Sequence, residues 1–180
     1  RIHRNLDIVL VAGDARSDAL LPLGRLREPA GSLARADIVV HTKGAGLSEM
    51  SAELVPCSLI DPSGAEEDLR GLRGRHVLAV SGIARPGHFA EMLQDLGACV
   101  DTLAFPDHHG FTRRDMETIS ARAQGKDLIV TTEKDLVRLD PPQLNGTWRA
   151  LRIEMRVKAM ETIVREIEGI VRKSGLSRQG

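Results

Sequence analysis

A chain of 180 residues is long enough to fill one apolar core, or one domain and part of another, without metal or disulfide staples. Its 25 basic and 25 acidic side chains cancel, so no net field draws it to nucleic acid or to an anionic surface, and a charged partner has to be met locally. Its two cysteines, Cys57 and Cys99, have neither CxxC nor Cys/His spacing, which argues against a zinc site or a disulfide framework and suits a reducing compartment.

No apolar run approaches the roughly 18 to 20 residues that span a bilayer. The opening RIHRNLDIVLVAGD is too charged, and its apolar run too short, for a signal peptide. In chain order, LDIVLV (6–11), ADIVVHT (36–42), RHVLAVSG (75–82), GACVDTLAF (97–105) and KDLIVTT (126–132) read as strands. They are nearly continuously apolar, as in a parallel sheet covered on both faces. Between them, RPGHFAEMLQDLG sets Phe89, Met92, Leu93 and Leu96 on one helical face and stops at Gly97. A second helix is predicted after Thr112, where Thr-Arg-Arg-Asp has the form of a capping box. TWRALRIEMRV reads as a further strand. In the last predicted helix, 158–173, Met160, Ile163, Val164, Ile167, Ile170 and Val171 form an apolar stripe suited to docking on a core, or else on a membrane surface or partner. Joints carrying Gly or Pro fall at 44–46, 61–64 and 141–146. Strand alternating with helix predicts an α/β fold.

Ligands of such sheets bind beyond the carboxyl ends of the strands. FPDHHGF (105–111) places Asp107, His108 and His109 in one proline-braced loop. Imidazole titrates near neutrality and a neighbouring carboxylate orients it, so the loop suits proton relay. Alternatively, its histidines only cap and pack. A metal-dependent hydrolase built on Asp107, His108 and His109 would need a third ligand arrangement that adjacent histidines rarely supply. In TTEKD (131–135), Thr132 and Asp135 read as a helix N-cap and its acidic partner, and Lys134 as a cation that could meet an anion. SGIARPG (81–87) is a strand-to-helix turn only loosely like a phosphate cradle. LLPLGRLREP (20–29) sets Arg25, Arg27 and Glu28 in a charged turn. No G-x-x-x-x-G-K-[ST], G-x-S-x-G or H-E-x-x-H occurs.

Taken in order, RNLDIVLV, LLP-x-G-x-LREP, RADIVV, SGIARPGHF, FPDHHGFT and TTEKDLVRL resemble the tetraacyldisaccharide 4'-kinase family, with FPDHH followed by TTEKD the most specific part. The resemblance implies a Gram-negative enzyme at the cytoplasmic face of the inner membrane. It implies transfer of the ATP γ-phosphate, with Mg2+, to the 4'-hydroxyl of an acylated glucosamine disaccharide phosphate in lipid A biosynthesis, and no nucleic-acid partner. It also implies two lobes of P-loop-kinase or Rossmann character. Residues 1–45 would be a remnant of the nucleotide lobe, 46–147 the smaller C-terminal α/β lobe, and 148–180 a linking strand and amphipathic helix. The family's phosphate loop and its Asp-Asp-Gly-Phe-Gln segment precede the part matched here, so the piece alone is expected to be inactive. Carried over by motif, His108 is expected to support a catalytic aspartate, with Asp107 orienting it. Arg27 and Glu28 would lie near the nucleotide, and Lys134 is a candidate for a substrate phosphate or for structural pairing. Ala12 stands where the family usually has aspartate, and ARSDA (15–19) where it has a Gly-Asn-Gly run. A module that kept the fold and binds without catalysing is the other reading.

Overall fold

The computed structural model of the chain describes residues 5–12, 18–24, 26–43, 50–139 and 147–173. Arg25 and the predicted joints at 44–46 and 141–146 lie outside them. The chain forms two compact units, Arg1–Leu54 with Met155–Gly180, and Val55–Glu154.

The first unit holds β1 (Ile8–Ala12) and β2 (Ile38–Lys43), paired in parallel from Ile8↔Ile38 onward. Ile38, Val40, Ala52 and Ile163 are buried together, with Leu6, Ile8, Met50 and Val157 packed against them. The predicted final helix forms as α4 (Met160–Lys173). It enters that core through Ile163, while Met160, Val164, Ile167 and Val171 stay exposed.

The second unit is built on a sheet of order β4-β3-β8-β7-β5-β6, with β3 (Ala52–Ile60), β4 (Glu66–Glu67), β5 (His76–Ser81), β6 (Cys99–Ala104), β7 (Leu128–Thr132) and β8 (Trp148–Val157). The unit boundary falls inside β3 and β8. β5 pairs in parallel with both β6 and β7, and β7 with β8. β3 and β4 form an antiparallel hairpin around 61–64, where Asp61 Oδ1 accepts from the Ser63 and Ala65 amides.

Side chains alternate across a strand. Val77 and Ala79 of β5 therefore face one core with Phe89, Met92 and Leu93 of α1 (Pro86–Asp95), whereas Leu78 and Val80 face another with Ile119 of α2 (Arg113–Arg122). This two-sided burial accounts for the continuous apolar runs of β5 and β7. β6 departs from it: pairing only with β5, it is the sheet edge and is largely exposed. β6 lies on one side of β5 and β7 on the other, so the winding reverses at β5. In an open α/β sheet that reversal places a crevice beyond the carboxyl ends of β5 and β7.

Leu78 is fully buried and Val137 is 86% exposed. We expect Leu78→Ala to lower the unfolding free energy by about 2–5 kcal/mol in urea titrations, and Val137→Ala to change it by less than about 0.5 kcal/mol.

Candidate functional site

Three loops meet at the carboxyl ends of β5, β6 and β7. β5 ends at the fully buried Ser81, and the loop after it begins with the buried Gly82 and leads into α1, whose first residue, Pro86, needs no amide partner. The loop after β6 is residues 105–112. The loop after β7 passes at once into α3 (Glu133–Leu136), a single turn.

The motif T-x-x-D occurs twice here and serves two purposes. At Thr112 it closes a local capping box: the Thr112 hydroxyl accepts from the Asp115 amide, and Asp115 Oδ2 accepts from the Thr112 amide at 2.8 Å. At Thr132 the hydroxyl again caps the helix, accepting from the Asp135 amide at 3.1 Å. There the carboxylate turns elsewhere. Asp135 Oδ2 accepts from the Gly82 amide at 2.9 Å and from the Thr132 hydroxyl at 2.8 Å, and the side chain is wholly buried. Asp135 Oδ1 faces Arg138 NH1 at 3.7 Å, an ion pair without a hydrogen bond.

The adjacent histidines of the β6 loop diverge. His109 Nε2 lies 3.0 Å from Asp115 Oδ2, and its ring stacks on Phe105 at 4.9 Å and meets the edge of Phe111 at 5.4 Å. It is a half-buried packing residue that ties the loop to α2. His108 turns outward, with its side chain 70% exposed, and adopts φ 61°, the left-handed region that a β-substituted residue enters at a cost. Its amide lies between Gly82 O at 3.2 Å and Asp107 Oδ1 at 3.0 Å. Its Nδ1 lies 3.2 Å from Arg138 NH2, and its Nε2 lies 3.7 Å from Asp107 Oδ2. Lys134 Nζ donates to Asp107 Oδ1 at 3.1 Å, and this bond, more than the nearby His108, holds the Asp107 carboxyl below its ordinary range.

Asp107, His108 and Lys134 are thus brought into one cluster, and Lys134 is engaged by Asp107. Arg27 and Glu28 belong to the other unit. Both are exposed, and Glu28 pairs with Arg35 of the 3-10 turn Ala30–Arg35. Sequence reasoning missed Gly82 and Arg138 as site residues and took Asp135 for a cap alone. A cavity of about 930 Å³ between α2 and the start of β8, lined by Met116, Ile119, Lys126 and Trp148 among others, lies toward the opposite ends of the strands. It includes none of the clustered residues.

A family model described as tetraacyldisaccharide-1-P 4'-kinase (LpxK) matches residues 1–170. The chain belongs to that family. Similar relatives are the tetraacyldisaccharide 4'-kinases of Rhodospirillum centenum, 38% identical over 91% of this chain and 50% of theirs, and of Anaeromyxobacter dehalogenans, 36% identical over 88% and 48%. A crystal structure of LpxK from Aquifex aeolicus in complex with ATP superposes with a TM-score of 0.64 at 28% identity, covering 93% of this chain and 53% of that one. The chain therefore spans about half the length of the kinases it matches.

The sequence has no G-x-x-x-x-G-K-[ST], and among the described residues no three His, Cys, Asp or Glu side chains are grouped to hold a metal ion.

Asp115 supplies a pH test. The Thr112 hydroxyl, the Thr112 amide and His109, in that order, draw its carboxyl down from 3.8 to about 2. A carboxyl depressed by folding stabilises the native state above its unfolded value and loses that contribution as pH falls through its folded value. Asp115→Asn should therefore lower stability at pH 7, and the gap to wild type should shrink between about pH 4 and pH 2 in urea titrations. A gap that stays constant across that range would contradict the assignment.

Proposed function

We propose that this chain works as part of a longer kinase polypeptide that transfers the γ-phosphate of ATP, with Mg2+, to the 4'-hydroxyl of a tetraacyl disaccharide 1-phosphate. The observation that carries this reading is the family match over residues 1–170, together with the cluster of Asp107, His108 and Lys134 beyond the strand ends. The triphosphate loop and the metal carboxylates come from residues other than these 180, and the second unit contributes the cluster at its strand ends. There His108 orients a catalytic carboxylate through its imidazole, Asp107 steadies His108 and Lys134, and Lys134 lies on the approach of a substrate phosphate. Arg27 and Glu28 serve the nucleotide side from the first unit. Residues 1–45 belong to the nucleotide lobe, 46–147 to the smaller lobe, and 148–180 link the two.

No helix among the described residues is long and apolar enough to cross a membrane. We place the enzyme at the cytoplasmic face of the inner membrane, held peripherally or by residues outside this chain, because its acylated substrate is a lipid. A metal-dependent hydrolase on Asp107, His108 and His109 is disfavoured by the divergence of the two imidazoles, with His109 committed to Asp115.

The coding DNA immediately 5' of Arg1 should encode G-x-x-x-x-G-K-[ST] within about 100–150 residues, the span of one domain. A stop codon with no such loop would end this reading. In the complete polypeptide, His108→Ala should lower kcat for phosphate transfer by about 10- to 1000-fold with the fold intact. An unchanged kcat would make His108 structural.

A further inference from the structure

Asp135 is the one acidic side chain among the described residues that is completely buried, and the local role the sequence offers it is too small to explain that burial. It would be the acidic partner of a cap on a helix of four residues. Where the same motif occurs at Thr112, the carboxylate turns back to its own N-cap amide and beyond that meets only His109 of the adjoining loop. Asp135 instead reaches the Gly82 amide, 53 positions earlier in the chain. Burying a carboxylate and its guanidinium partner is weak support for stability, because apolar residues of similar volume serve as well.

Two routes run from this carboxylate to His108. One is backbone: Asp135 Oδ2 holds the Gly82 amide, and the Gly82 carbonyl accepts from the His108 amide at 3.2 Å. The other is side chain: Asp135 faces the Arg138 guanidinium, and Arg138 NH2 lies 3.2 Å from His108 Nδ1. A guanidinium only donates and does not lose its proton, so Nδ1 has to be the acceptor. A neutral imidazole that accepts at Nδ1 carries its proton on Nε2, the nitrogen nearest Asp107.

We propose that Asp135 and Arg138 are positioning residues that hold His108 in its left-handed backbone conformation and in the Nε2–H tautomer, so that it presents a hydrogen-bond donor to an anionic partner. This deepens the reading above and rests on it for its relevance to kinase turnover. It makes His108 a donor that orients a carboxylate or phosphate oxygen. It is not a base that takes a proton at Nε2.

The test is two-bond 1H–15N correlation of the histidine rings in the 180-residue chain, at a pH where His108 is neutral. Wild type should show a pyridine-like Nδ1 and a pyrrole-like Nε2 for His108. Arg138→Met should narrow the separation of the two nitrogen shifts as the tautomers mix, while the His109 signals stay in place. Asp135→Asn should narrow it too; if that variant does not fold, Arg138→Met decides alone. A proton on Nδ1 in wild type, or His108 signals unmoved by Arg138→Met, would overturn the proposal. In the complete kinase, Arg138→Met should reduce kcat and leave the KM for ATP unchanged, the pattern of an interaction made in the reacting state. If the tautomer responds but neither Arg138→Met nor His108→Ala changes kcat, the positioning stands and the kinase role of His108 falls.

Discussion

The bond from the Gly82 amide to the buried Asp135 carboxylate joins what the topology only brings near. Parallel strands leave their loops at one edge of the sheet, and loops at an edge are free to move unless something ties them. Here the tie is made around one α-carbon. A β-carbon at Gly82 would lie 3.3 Å from the Pro106 carbonyl oxygen and 3.4 Å from both Asp135 Oδ1 and the His109 β-carbon. A side chain there would be crowded, because the loops after β6 and β7 both send atoms to that point. A hydrogen bond to a charged group contributes about 1.5–3 kcal/mol.

Much of this was legible in the sequence because burial on both faces leaves a strong mark. The runs at 75–82 and 126–132 became β5 and β7, and the capping signature at Thr112 became a complete box. β3 was not predicted, since SAELVPCSLI carries Pro56, which removes a ladder donor. On the side of β3 facing β4, the ladder covers only Leu59 and Ile60 and leaves Pro56 outside it. The separate duties of His108 and His109 were also hidden: neighbouring letters do not reveal that a left-handed residue sends one imidazole outward while Phe105, Phe111 and Asp115 hold the other. Arg138 left a faint signal, an arginine three residues after a cap aspartate on a single helical turn.

Membership of the kinase family joins these local facts to phosphoryl transfer, the chemistry proposed above. Phosphoryl transfer needs charge neutralisation and alignment more than covalent help from the protein. On the proposed reading, the chain contributes alignment through the cluster of one exposed imidazole, a lysine steadied by a carboxylate, and a buried anchor beneath them. In the first unit, Glu28 of the LREP turn pairs with Arg35 while Arg27 remains exposed.

Hydrogen exchange at the Gly82 amide tests the anchor most directly. If Asp135 holds it as described, this loop amide should exchange as slowly as the amides of Leu78 and Val80 in β5, opening only when the second unit unfolds. Exchange at the rate of an unprotected surface loop would contradict the account.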